Sequence, residues 1–265
     1  MKTFSIILAL FGLCALTATA QTDITSSYQI GVGLTRLLDT YLSQEKFKGT
    51  GLTLLNTQER SRPASLWATE VQHQLNMSDL KDRAGSRKEQ QVDYALFLGR
   101  YYRLLHTGPV SVQAGALVSG NLGATYNSAN SNNPVQARLS LQLMPSAAAT
   151  WPFTLFGRQV SLRYQLDLPL VGVMFSPNYG QSYYELFSLG NYDRNVVPTT
   201  FVSAPYLHQQ LSADCRLGRS FTLRIGYLGD YRQSDVNHLK SHIYSHRIMV
   251  GFVRTLRVLN KERGL

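Results

Sequence analysis

Three histidines recur at every fourth position near the carboxyl end, His238, His242 and His246, with Lys240 and Tyr244 between them. On a β-strand successive side chains alternate faces, so all five share one side. Turned into a barrel lumen, they make a ladder of imidazoles and an ammonium along the wall. Two kinds of chemistry come to mind, and the spacing speaks against both. A Ser-His nucleophile pair needs both groups on one side within hydrogen-bond reach. Ser241 and Ser245 are instead direct neighbours of His242 and His246, so they point the other way. A metal ion needs its ligands around one centre, whereas residues four apart on a strand stand about 13 Å apart. No catalytic set and no metal site is therefore assigned, and His242, Tyr244 and His246 are read as part of a polar lumen.

Charged residues of matching parity extend that reading: Arg163 and Asp167, Asp214 and Arg216, then Arg224, Asp230 and Arg232. Arg163 with Asp167, Asp214 with Arg216, and Arg224 with Asp230 and Arg232 are expected to pair across neighbouring strands. Paired charges would fill a narrow lumen and satisfy one another; unpaired arginines would favour anion passage. A further cluster, Glu185, Asp193 and Arg194 among Tyr179, Tyr183, Tyr184 and Tyr192, has two readings. It is a patch for sugars and phosphates or an interfacial aromatic girdle, and the girdle takes the larger share. The chain has no Gly-rich phosphate loop, no nucleophile elbow and no metalloprotease helix motif, and no cofactor is expected.

Strands have to position these groups, and their signature is plain. From Phe221 to Arg232, Phe221, Leu223, Ile225, Tyr227, Gly229 and Tyr231 alternate with Thr222, Arg224, Gly226, Leu228, Asp230 and Arg232. Leu162, Tyr164 and Leu166 alternate with Arg163, Gln165 and Asp167; Leu211, Ala213, Cys215 and Leu217 with Gln210, Ser212, Asp214 and Arg216. Leu139, Leu141 and Leu143 oppose Arg138, Ser140 and Gln142, and Trp67, Thr69, Val71, Leu75 and Met77 share a face with one polar intruder, His73. Apolar-out, polar-in alternation repeated this often reads as a membrane-spanning β-barrel. Turn chemistry separates the runs, as at Ser176-Pro177-Asn178 and at Leu217-Gly218-Arg219-Ser220, where Gly218 is expected to supply a positive φ. Leu34 to Leu42 also fits a helical face; two strands turning near Ser43 to Lys46 are preferred, because Gly31 and Gly33 lead in.

The amino end predicts export. Lys2, an apolar run from Phe4 to Leu16 and Ala18-Thr19-Ala20 read as a signal peptide cleaved after Ala20. Only Cys215 then remains, so no internal disulfide is expected. No later run approaches a helical membrane span, while 15 Tyr, 11 Phe and 20 Gly favour a barrel over a soluble β-sandwich. The net charge of +10 suits anionic headgroups or lipopolysaccharide phosphates, or an Arg-rich lumen and loops. Nothing in the pattern suggests nucleic acid. The predicted organisation is a signal peptide over 1–20, a barrel over 21–257 and a short polar tail over 258–265. About 245 mature residues, at roughly 20 per strand and connection, predict about twelve antiparallel strands, with ten as the alternative. The last strand, about Leu239 to Leu256, should close against the first near Tyr28.

Four blocks carry a resemblance: Leu38 to Ser43, Ser176 to Glu185, Gly226 to Ser234, and Leu239 to His246 followed by Gly251-Phe252-Val253. With them the chain resembles a domain-of-unknown-function family (family number 3316) of exported outer-membrane barrel proteins from Bacteroides-type bacteria. The resemblance implies an outer-membrane barrel and no particular reaction. One departure is that such barrels commonly end on an aromatic residue, whereas here Phe252 is followed by Arg254, Leu256 and the polar tail. The expectation is a non-enzymatic outer-membrane barrel, structural or a narrow channel with a charge-paired lumen. The alternatives are a lipid- or lipopolysaccharide-modifying enzyme and a surface glycan-binding barrel. Expected partners are outer-membrane lipid, lipopolysaccharide and the outer-membrane assembly machinery.

Overall fold

Alternation becomes twelve antiparallel strands in the computed structural model, which describes residues 21–63, 65–105, 109–218 and 221–258. They are β1 (Thr22–Asp39), β2 (Ser43–Ser61), β3 (Trp67–Lys81), β4 (Lys88–Leu105), β5 (Ser111–Asn127), β6 (Val135–Leu155), β7 (Arg158–Asp167), β8 (Val171–Phe175), β9 (Val196–Thr200), β10 (Tyr206–Arg216), β11 (Thr222–Val236) and β12 (Leu239–Val258). A five-residue helix, α1 (Tyr183–Phe187), lies between β8 and β9. The expected signal peptide and the tail beyond Val258 lie outside the described residues.

Ten strands close the wall. Neighbours pair in sequence order from β1 to β7, β7 pairs with β10, and β12 returns to β1, with Tyr28 opposite Phe252. The other two strands lengthen the wall on one side. β8 carries on along β6 where β7 stops, and β9 pairs with β8. Pro169 explains the break, since proline has no N–H for the ladder; its neighbours Leu168 and Leu170 still donate to Pro145 and Leu143. Residues 201–205 interrupt the partner strand in the same way, with Pro205 and Ser203 accepting from Gln233 and Asp235 of β11.

Leu34 lies within β1, paired on both sides with Thr50 and His246, so the segment is strand to Asp39 and turns at residues 40–42. Both ends of the described residues lie at one end of the barrel, here the termini end, with Thr22 opposite Val258. Two hairpins are as tight as a hairpin can be. Phe156-Gly157 (φ 50° and 73°) and Asn237-His238 (φ 53° and 61°) have the paired positive φ values of a type I′ turn. Gly218 does not adopt a positive φ, contrary to the sequence expectation; Arg219 and Ser220, the rest of that expected turn, lie outside the described residues.

Side-chain parity gives the wall two distinct faces. Around the waist, one lateral row of hydrogen-bonded partners runs Trp151, Leu162, Ala213, Ile225, Val250, Ile30, Leu54, Leu75, Tyr94, Leu122 and Leu139, all pointing outward. His73, the polar intruder, satisfies its Nδ1 on the Tyr94 hydroxyl at 2.7 Å. An apolar exterior around a polar interior is the pattern of a barrel solvated by lipid. The interior is not wholly polar. Small apolar clusters, such as Leu37, Phe47, Leu80 and Ile243 toward the end away from the termini, are wedged between the polar layers.

Candidate functional site

The lumen is crossed by a continuous hydrogen-bonded network drawn from seven strands. Arg163 on β7 donates to Glu59 (3.0 Å) and Glu70 (3.2 Å) across the interior. Gln165, two residues on and on the same face, donates to Glu70 (3.0 Å) and to the Tyr101 hydroxyl (3.0 Å). Tyr101 and Asp167 are joined through Ser146. Asp167 meets His208 Nδ1 at 2.7 Å, and His208 Nε2 meets Gln74 Oε1 at 3.1 Å. Gln74 donates its amide to Asp230 (2.7 Å), which Arg232 grips through Nε (2.8 Å) and Nη2 (2.9 Å) while reaching Asp93 at 3.3 Å.

The orientation of Gln74 has a chemical consequence. Its NH2 must face the Asp230 carboxylate, so its carbonyl faces His208 and requires a donor there. His208 Nε2 is therefore the donor to Gln74, while Nδ1 faces the Asp167 carboxyl. The ring is fully buried and stacked on Phe97, with centroids 4.8 Å apart.

Another buried cation stands on β12 beside this network, opposite Leu228. Arg247, 1% exposed, has no carboxylate within ion-pair distance among the described residues. It donates instead to Thr35 (2.6 Å), Thr53 (3.2 Å), Ser78 (3.3 Å) and the carbonyl of Leu34 (2.8 Å). Gly51 makes room for it, since a Cβ there would lie 2.2 Å from the guanidinium.

Six of the charged residues singled out in the sequence point inward: Arg163, Asp167, Asp214, Arg224, Asp230 and Arg232. Most of their partners differ from the expected ones. Arg163 binds Glu59 and Glu70 rather than Asp167, and Arg224 forks onto Asp214 (2.6 and 2.7 Å) rather than Asp230. Residues four or more apart on one strand are too distant to pair; Arg163 reaches across the lumen to β2 and β3, whereas Arg224 stands directly opposite Asp214 on the neighbouring strand β10. Arg216 does not meet Asp214; it lies exposed at the termini end, its nearest acceptor Gln159 at 3.4 Å.

His242, Tyr244 and His246 are corrected outright, because they face out of the barrel. Leu239, Ser241, Ile243, Ser245, Arg247 and Met249 take the inner face of β12. On the outer wall His246 Nδ1 meets the hydroxyls of Tyr227 (2.7 Å) and Tyr231 (3.1 Å). Ile248, Val250 and Phe252 share the parity of His246, and following that apolar run would have found the correct face. Glu70, Asp93, His208 and Arg247 went unremarked in the sequence. Continuing the parity of Gln210, Ser212 and Asp214 places His208 inside.

The barrel end away from the termini is capped by residues 176–195. Here the Ser176–Glu185 block folds on itself. Asn195 donates to Ser176 O (3.2 Å) and Gln181 (2.7 Å), and Asn178 donates to Asp193 O (2.7 Å). The Tyr183 hydroxyl accepts the Ala137 N–H (2.7 Å) on β6 and donates to Gln136 (2.9 Å). Burial pushes its phenol up to about 12. Tyr179, Tyr184 and Tyr192 stay exposed. Beneath the cap a recess of about 800 Å3, open mouth included, is lined by Arg138, Gln136, Phe175, Tyr206, Arg232 and Ile243 among others. Arg138 is held there by Asp39 (2.6 Å) and Ser241 (2.8 Å).

Ser182 and Glu185 form a capping box on α1, with Glu185 N donating to Ser182 Oγ (3.2 Å) and Ser182 N to Glu185 Oε2 (2.7 Å). The backbone N–H and then the hydroxyl of Ser182 hold the Glu185 carboxyl below its usual range. A lowered value in the folded loop stabilises it above the ordinary glutamate range and loses that contribution as pH falls through the lowered value. Glu185→Gln should therefore reduce hydrogen-exchange protection of residues 183–187 at neutral pH and change little at the acid end. Equal loss at both pH values would remove the carboxylate from the account.

Ser146 is joined to Asp167 and not to the imidazole, and both nitrogens of His208 are engaged. A serine nucleophile needs a free imidazole nitrogen beside it. Among the described residues no group of three or more His, Cys, Asp or Glu side chains is placed to hold a metal ion.

Among solved structures, this chain is similar to the outer membrane protease OmpT of Escherichia coli, at 8% identity and TM-score 0.48, covering 92% of this chain and 99% of that one. The transport unit of the autotransporter AIDA-I of Escherichia coli follows at 6% identity and TM-score 0.40, covering 96% and 97%. The translocator domain of the autotransporter NalP of Neisseria meningitidis has 14% identity and TM-score 0.36, covering 95% and 94%. No curated protein matches the sequence. A family model described as "Protein of unknown function (DUF3316)" matches residues 4–263.

Proposed function

The chain belongs to this DUF3316 family, and for it we propose a plugged outer-membrane barrel that conducts no solute and works through its end away from the termini. The observation that carries this reading is the unbroken chain from Glu59 and Glu70 through Arg163, Gln165, Asp167, His208, Gln74, Asp230 and Arg232 to Asp93. Oppositely charged groups from facing walls meet directly, which supports a filled lumen. A porin lumen, by contrast, is lined by charges that face water. The apolar outer row at the waist and the polar interior support insertion in a bilayer. Location in the outer membrane, with the leader removed, is part of the same reading. Fractionation should recover the chain with outer membranes as a heat-modifiable band; recovery as a soluble monomer without detergent would sink it.

Conductance tests the plug. Purified protein in a planar bilayer should stay silent. Glu70→Ala combined with Arg163→Ala removes two interlocked side chains together, which avoids leaving either buried charge alone. That double variant should open a small, steady leak. A steady open-channel current from the unmodified chain would replace the plug with a pore.

A further inference from the structure

Four cations stand directly opposite one another on four successive strands. Arg36 pairs with Lys48, Lys48 with Lys81, and Lys81 with Lys88. All four are exposed on the outer wall at the end away from the termini, and none has an ion-pair partner among the described residues. At the usual strand spacing the row is about 14 Å long. Like charges placed directly across a sheet repel, so a bare row of this kind weakens the wall that carries it. Lys46 and Arg83 add to it, lining one groove with Arg36, Lys48 and His242. The carboxylate of Asp79, two residues from Lys81 on the same face, offsets only part of this charge.

What lies below the row is as informative as the row itself. On the same outward parity the wall turns apolar within two to four residues: Leu34 under Arg36, Leu52 under Lys48, Met77 under Lys81 and Val92 under Lys88. Cations therefore stand where an apolar belt ends, the height at which phosphate headgroups sit above their acyl chains. The termini end is built differently. Arg60 and Arg100 there both oppose Thr69, and the Arg100 guanidinium packs on the Trp67 ring at 4.9 Å.

We infer that this arc of the wall, from β1 to β4, seats a phosphorylated glycolipid of the surrounding leaflet. Its phosphates lie along Arg36, Lys48, Lys81 and Lys88, and its acyl chains run down over Leu34, Leu52, Met77 and Val92. A free phosphate ion satisfies the cations but leaves the apolar belt unused, so the occupant is a lipid.

Native mass spectrometry of the detergent-solubilised chain tests this, with bis-phosphorylated lipid A as one probe and the same glycolipid stripped of phosphate as the other. The intact probe should bind and the stripped one should bind far more weakly. Lys48→Gln with Lys81→Gln should weaken lipid A binding about thirtyfold, from two surface cations of the usual strength. Arg60→Gln with Arg254→Gln, at the other rim, should leave it unchanged. Retained heat-modifiable migration shows that each variant is folded, and if the lysine pair fails that check the two probes on the unmodified chain still decide. Equal binding of the two probes overturns the proposal, as does full binding by a folded lysine variant. Displacement of lipid A by equimolar inorganic phosphate does so too, because the site would then recognise the anion alone.

Discussion

Arg232→Ala should lower the unfolding free energy of the barrel by about 3–5 kcal/mol, the usual cost of removing one partner from a buried ion pair. The guanidinium grips Asp230 at 2.8 and 2.9 Å, reaches Asp93 at 3.3 Å and lies 5.1 Å from the centre of the Tyr206 ring. Asp230 and Asp93 each keep only about 4% of their side-chain surface. Truncation would strand two carboxylates with little access to water. The rest of the network makes the loss larger, since Gln74 and through it His208 are oriented by Asp230. Urea unfolding in lipid vesicles, followed by the fluorescence of Trp67 and Trp151, measures it well because both rings lie on the outer wall. A triple variant, Arg232→Met with Asp230→Asn and Asp93→Asn, should recover most of the loss by removing the charges together. A cost below about 1 kcal/mol for Arg232→Ala, the level of an exposed pair, would mean that water reaches the network and would weaken the plug with it.

Faces were legible in the sequence; partners were not. On β11 the alternation through Leu223, Ile225, Tyr227 and Tyr231 assigns inside and outside residue by residue, and the structure agrees. Parity is a local property, and a strand of ten residues repeats it often enough to be read. The partner of Arg163 lies 93 or 104 residues away, across the lumen. That distance depends on how many strands close the wall, which no local pattern carries. The strand count shows the same limit. Twelve strands form, but Pro169 and Pro205 mark breaks that leave β8 and β9 as extensions of β7 and β10 instead of new staves. β12 misled because its even positions change character midway. His242, Tyr244 and His246 look lumenal, while Ile248, Val250 and Phe252 of the same parity face lipid. Polar groups on an outer wall are tolerated when they bond one another, as His246 does with Tyr227 and Tyr231.

Ile225→Arg puts that parity to its strongest test. Ile225 belongs to the outward row that includes Val250 and Ile30 beside it, with Ile30 two residues from the Tyr28–Phe252 stack and six from Arg36 along β1. An arginine at the midplane of a transmembrane barrel costs about 2–4 kcal/mol, and the same unfolding measurement should find that loss. Its chain neighbour Arg224 is already an arginine and costs nothing comparable, because it points inward onto Asp214. Arg224→Leu should cost less than Ile225→Arg, since Asp214 keeps 21% of its side-chain surface and can turn to solvent. The two substitutions move a charge in opposite directions at adjacent positions, so their difference isolates the face from the strand. If Ile225→Arg were as mild as Arg224→Leu, the outer row would have to face water, and neither the bilayer nor a lipid seated on the wall could be kept.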